Sequence, residues 1–150
     1  MININIENEY SRIKTVLLGI ANNIGNPPSQ FDTYDPRSLY HVKNNSYPSE
    51  IDLVKNIDSF YNKLLKHNVD IIRPKNIPEC NQIFTRDLGF IVSNVFFMSN
   101  IVSNRQDELK GIEDIIKDFD VGVIKLPEFM HIEGGDAVSY THLRAHETEE

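Results

Sequence analysis

Asn81-Gln82-Ile83-Phe84-Thr85-Arg86-Asp87, running straight into the apolar stretch Leu88 to Val92, decides how the rest of the chain is read. Asp87 stands at the mouth of what reads as a buried strand. Far along the chain a second acidic stretch, Glu133-Gly134-Gly135-Asp136, closes another short apolar run. Both have the character of strand-end loops, where a rigid scaffold holds side chains over a pocket. Two acids converging there suit a flat, permanent positive charge. A guanidinium is the natural candidate, because a carboxylate matches its planar fork of donors.

The NQIFTRDLGF and HIEGGD stretches resemble those of the guanidino-group-modifying superfamily, the penteins. That superfamily includes arginine deiminases, dimethylarginine dimethylaminohydrolases and amidinotransferases. The resemblance runs from roughly Glu9 to Asp136, and it lies nearest the dimethylargininase-like group. It implies a closed α/β-propeller of five ββαβ-type units, of which about two fit before Asp136. Residues 1–136 are thus expected to be the N-terminal part of a catalytic domain. Isolated, such a part leaves sheet edges and apolar faces uncovered.

The resemblance also implies roles. Asp87 is the carboxylate that grips the substrate guanidinium. Glu133 contacts the catalytic histidine or the guanidinium. Arg105 holds the substrate's α-carboxylate, a task that suits a cation. Asn81 and Phe84 line the pocket, and Asp136 supports the turn or the site. Each has a plainer reading. Asp87 pairs with Arg86, although neighbours along a strand point to opposite faces. Glu133 sits in a surface turn, Arg105 opens a helix in solvent, and Asn81 and Phe84 serve turn and core.

The mechanism implied is nucleophilic. A cysteine thiolate attacks the guanidinium carbon and forms a covalent thiouronium. A histidine protonates the departing amine, then activates water, or a second amine in the transferases. The family's histidine and cysteine lie later than these motifs, so the 150-residue chain is expected to be inactive alone. No metal or organic cofactor is implied. The primary expectation is a citrulline-forming hydrolase of arginine or methylated arginine. An amidinotransferase, an arginine deiminase and a non-catalytic binding pentein are the alternatives.

Bulk properties set bounds. The chain of 150 residues is long enough for one domain with a core, and 40% hydrophobic with 25% charged residues is ordinary for a globular protein. A net charge of −7 argues against nucleic acid or an anionic membrane as partner and is compatible with a small cationic substrate. A homodimer stays open. One cysteine, Cys80, excludes an internal disulfide and reads as a small buried thiol. The N-terminus lacks the features of a signal peptide, and no apolar run approaches the ~18 residues of a membrane span. A cytoplasmic protein is expected.

The last residues differ in composition. Ala137 to Glu150 contains no Ile, Asn or Lys, which dominate the chain before it. Val138 to Thr148 reads as a translated transposase sequencing adapter, so residues 137–150 are expected to be non-native. His142 and His146, at the i, i+4 spacing of metal ligands, are discounted with them.

Periodicity supplies the remaining elements. Ile13 to Gly19 reads as a buried strand. Ile20 to Tyr47 loses all pattern and reads as a long loop or a lid. Ser49 to His67 has apolar residues at helical spacing, Ile51, Val54, Ile57, Tyr61, Leu64 and Leu65, with Ser49 as cap and Asn68 as stop. Val69 to Ile72 reads as a strand. Leu88 to Val92 and Val95 to Met98 form a hairpin about Ser93-Asn94. A helix capped by Asn104 runs to about Asp118, with Gly111 a weak point. Strands follow at Val121 to Leu126 and near Met130 to Ile132. The predicted class is α/β with mixed strand directions.

Overall fold

The computed structural model describes residues 4–137 other than Glu7, Glu9, Asp32 and Tyr34. The side chain of Asp136, the adapter-like run from Val138 and the His142–His146 pair lie outside the described residues. The chain divides into two units, Lys14–Phe84 on one hand and Met1–Ile13 with Thr85–Glu150 on the other.

In the Lys14–Phe84 unit, β1 (Thr15–Leu17) pairs in parallel with β2 (Asp70–Ile72), Val16 opposite Ile71. A parallel pair needs a crossover, and α1 (Pro36–Lys43) and α2 (Glu50–Lys66) supply it. The backbone beyond β1 stays extended, and Ile20 N–H donates to Gln82 O at 3.1 Å. Leu18, Ile20, Ala21, Val69 and Cys80 are the buried apolar residues of this unit. Gln82, 1% exposed, is a buried polar group with both ends satisfied. Its Nε2 donates to Lys75 O and its Oε1 accepts from Ile77 N–H, which pins the proline-flanked loop.

The long helix is where periodicity puts it. Ser49 Oγ accepts from Asp52 N–H at 3.2 Å, and Asn68 takes the left-handed conformation, φ 55°, just past the end. Ser49→Ala is expected to cost ~1 kcal/mol by freeing that donor; a urea melt with helical circular dichroism checks it. The apolar face is narrower than expected. Val54, Ile57, Tyr61 and Leu64 are half-buried, whereas Ile51 is 67% exposed and no residue of α2 is fully buried.

Two expectations for this unit need correction. The patternless stretch contains α1, which apolar periodicity misses because no residue of α1 is buried. Its signal is the cap: Asp35 Oδ2 accepts from Ser38 N–H at 2.7 Å, and Pro36 opens the first turn with its φ already helical. The unit also runs β, α, α, β, so it does not repeat the ββαβ order expected twice.

The other unit does run β, β, α, β. Strands β3 (Gly89–Val92) and β4 (Val95–Met98) form an antiparallel hairpin, Phe90 opposite Phe97. Ser93 turns it with φ 54°. β5 (Gly122–Lys125) lies parallel to β4, Phe96 opposite Val123. Ile6 joins at the hairpin turn through two backbone bonds of 2.9 Å with Ser93. Leu88, Phe96, Ile101, Ile112 and Leu126 are the buried apolar residues, and Phe119 meets Phe96 edge-on at 5.6 Å.

The crossover helix is broken, contrary to expectation. It consists of a 3-10 turn (Ser103–Arg105), α3 (Asp107–Lys110) and α4 (Glu113–Lys117). Asn104 lies inside the turn and caps nothing. The break falls at Gly111 and Ile112. Glycine is a poor helix former there, and Ile112, 1% exposed, gains core contact. No strand forms near Met130. Instead Met130 N–H closes a turn onto Pro127 O, and a 3-10 turn (Gly134–Asp136) follows. Among the described residues no helix is long and apolar enough to cross a membrane.

Candidate functional site

Three non-strand segments of the Thr85–Glu150 region bring charged side chains together. Asp87 sits in a 3-10 turn (Thr85–Leu88) immediately before β3, held by the buried Leu88. Arg105 ends the turn that follows β4, anchored by the buried Ile101. Glu133 ends the loop after β5. The loop after β4 is tied to itself and to the loop after β5. Gln106 Nε2 donates to Ile101 O at 2.8 Å, and Asn100 Nδ2 donates to Glu128 O at 2.8 Å.

The glycine pair has a steric purpose. Gly134 is packed so tightly on the backbone of Arg86 and Gly89 that a Cβ would overlap both carbonyl oxygens. A Cβ on Gly135 would stand 3.3 Å from Asp87 Oδ1. Of the two possibilities a glycine pair allows, unusual φ or close approach, Gly134 realises close approach. That contact lays the Glu133 loop against the Asp87 turn.

The centre of the cluster is a guanidinium belonging to the protein itself. Arg105 Nη2 lies 3.0 Å from Asp87 Oδ2, and Nη1 donates to Glu133 Oε1 at 3.1 Å. Glu108 takes the remaining edge. Its Oε1 accepts from Nε at 2.6 Å and its Oε2 from Nη2 at 3.0 Å. Both forks of the guanidinium therefore face protein carboxylates. A substrate α-carboxylate would reach Arg105 only after one of these lets go.

Charge and burial compete here. Glu108 is 3% exposed. Burial is the largest single influence and pushes its carboxyl up, Arg105 pulls it down, and the like charges of Asp87 and Glu133 add to the rise, leaving it above the ordinary value. Arg105 is raised as well, and for it that favours the charged form. Its bond to Glu108 first, then Asp87, raise it further into the permanently charged range, against burial. With every group ionised, the four side chains carry one positive charge against three negative.

Of the residues singled out from sequence, Asp87, Glu133 and Arg105 meet in one cluster. The plainer pairing of Asp87 with Arg86 is replaced by this longer-range one. Asn81 and Phe84 belong to the other unit. Asn81 Oδ1 accepts from Ile83 N–H at 3.2 Å in a local turn, and Phe84 is 53% exposed. Cys80 is buried in that same unit. His131 Nδ1 lies 3.3 Å from Asn100 O. Glu108 was missed. Its only sequence signal is the Arg-x-x-Glu spacing, which on a helical turn brings the two side chains together.

A cavity of about 230 Å³ opens beside the same loops, lined by Ser99, Asn100, Gln106, Lys125 and His131 among others. Neither Asp87 nor Glu133 lines it. Among the described residues no group of three or more His, Cys, Asp or Glu is placed to hold a metal ion.

No family model matches the sequence, and no curated protein does. Solved structures do match. An amidinotransferase of the saxitoxin biosynthetic pathway from Microseira wollei superposes with a TM-score of 0.61 at 19% identity, over 83% of this chain and 43% of its own. The inosamine-phosphate amidinotransferase of Streptomyces griseus superposes with a TM-score of 0.60 at 15% identity, over the same shares. The chain thus spans less than half the length of either. Both neighbours are members of the superfamily that the two sequence motifs resemble, and at these identities the likeness is one of fold.

Proposed function

We propose that this chain supplies the guanidinium-binding carboxylates of an enzyme that modifies the guanidino group of arginine or a methylated arginine. The observation that carries the proposal is the convergence of Asp87 and Glu133 on a single guanidinium, at 3.0 and 3.1 Å. Two acids on loops far apart in sequence already stand at the spacing such a cation needs. The excess of negative over positive charge in the cluster favours a second cation arriving from solvent. The fold likeness to two amidinotransferases supports the same class of chemistry.

In this reading Asp87 and Glu133 clasp the substrate cation and keep positive charge on the carbon to be attacked. The thiolate and the histidine of the expected mechanism are assigned to no residue here. The β3 to β5 region is then one ββαβ unit of a larger closed arrangement. Transfer to an amine fits the fold likeness at least as well as hydrolysis. Assaying the complete enzyme separates them: water as second substrate yields citrulline from arginine, an amine yields ornithine. A purely binding pentein has no use for the acid pair.

Titration of the isotope-labelled chain with L-arginine tests the clasp. Shifts are expected at Asp87, Arg105 and Glu133. Asp87→Asn is expected to weaken binding about tenfold or more, the worth of a charge-assisted bond. Equal binding by the variant, or none by the folded parent at millimolar arginine, overturns the proposal.

A further inference from the structure

We infer that Glu108 is a positioning residue for the acid pair: it fixes the guanidinium of Arg105, and through it the separation and direction of the Asp87 and Glu133 carboxylates. The inference rests on the reading above for its meaning, since the pair it positions is the proposed substrate clasp.

The geometry is that of a brace. Both Glu108 oxygens engage the Nε–Nη2 edge, at 2.6 and 3.0 Å. A guanidinium is planar, so gripping one fork fixes the plane and the direction of the adjoining one. The other fork, Nη1 with the shared Nη2, carries the contacts to Glu133 and Asp87. Without the brace, Arg105 is a long side chain with several rotamers to explore.

The location argues the same way. Two other acid–base pairs in this region have the same i, i+3 spacing, Asp107 with Lys110 and Asp114 with Lys117, and both lie in solvent. Such pairs are ordinary surface features. Glu108 instead lies in a region whose buried neighbours in sequence are Gly111 and Ile112. A carboxylate buried there costs more than an apolar side chain of the same volume. If packing were its whole purpose, a leucine would serve better. The charged groups facing it are Arg105, Asp87 and Glu133.

The test uses the full, isotope-labelled chain with Glu108→Gln and Glu108→Leu. In the parent, the Arg105 Nε proton is expected to exchange at least ~tenfold more slowly than that of the exposed Arg37, as charge-assisted bonds require. Both variants are expected to lose that protection and to move the side-chain carboxyl carbon resonances of Asp87 and Glu133 at neutral pH, with the backbone amide spectrum otherwise kept. A merely structural role leaves those resonances unmoved. Protection retained in a folded variant overturns the inference. Should the variants fail to fold, acidifying the parent decides it. Arg105 protection must vanish as Glu108 is protonated, and protection that outlasts that protonation is fatal. No substrate enters these readouts, so the arginine titration can fail while the brace stands, and the reverse.

Discussion

An Arg105→Met chain is expected to be about 3 kcal/mol less stable than the parent at neutral pH, the low end of what breaking a buried ion pair costs. The substitution keeps the length and apolar stem of the side chain, so the loss is electrostatic. Glu108 is left in the interior with no cation, beside two further carboxylates. Asp87 and Glu133, more exposed, recover part of their hydration and contribute less.

The loss carries a pH signature. Glu108 has its carboxyl held above the ordinary value in the folded chain. The folded state therefore keeps that proton to higher pH than the unfolded state. The stability linked to this group is full below the ordinary carboxylate value and drains away as pH rises through the raised one. Without Arg105 the rise is larger and the drain deeper. The gap between parent and variant is expected to shrink from about pH 7 to about pH 4, because a protonated Glu108 no longer needs a partner. Urea melts at the two pH values check it. An unchanged gap means that Glu108 is not the group left stranded.

The second large effect is steric. Gly134→Ala is expected to cost about 3 kcal/mol or more, at the upper end of overpacking, because the obstacle is backbone. A methyl group there meets the carbonyls of Arg86 and Gly89, which belong to the turn and strand that carry Asp87. Either the Glu133 loop lifts away or the turn distorts, and Glu133 leaves Arg105 in both cases. Thermal melts read the cost. Gly122→Ala is the control: a Cβ there meets only Val95 Cγ2 at 3.8 Å, so stability within about 1 kcal/mol of the parent is expected. Similar losses at both positions would mean that close approach at Gly134 is not what the glycine serves.

Much of the local structure was legible in advance. The α2 helix carries its own cap, stripe and stop, and the hairpin carries alternation about a turn, so each is encoded within a few residues. The α1 helix hid because its evidence is a cap rather than a stripe. The crossover helix departs from its apolar spacing for the opposite reason. Its apolar spacing is helical, but a glycine beside a residue that gains by burial lets the chain break. Glu108 escaped because a glutamate on a helix is read as solvent-facing, and nothing local says that an arginine three residues back will be drawn inward with it.

By itself the sequence determined the chemistry on offer: acids in two distant segments, a glycine pair, a cation between them, and an acidic chain. These follow from side-chain identity and from patterns a few residues long. Only the tertiary structure decided that Asp87 and Glu133 meet on Arg105, with Glu108 behind it. Arg105 and Glu133 are 28 residues apart. Whether such groups touch depends on how hairpin, crossover and loops close, and on a glycine thin enough to let two backbones pass.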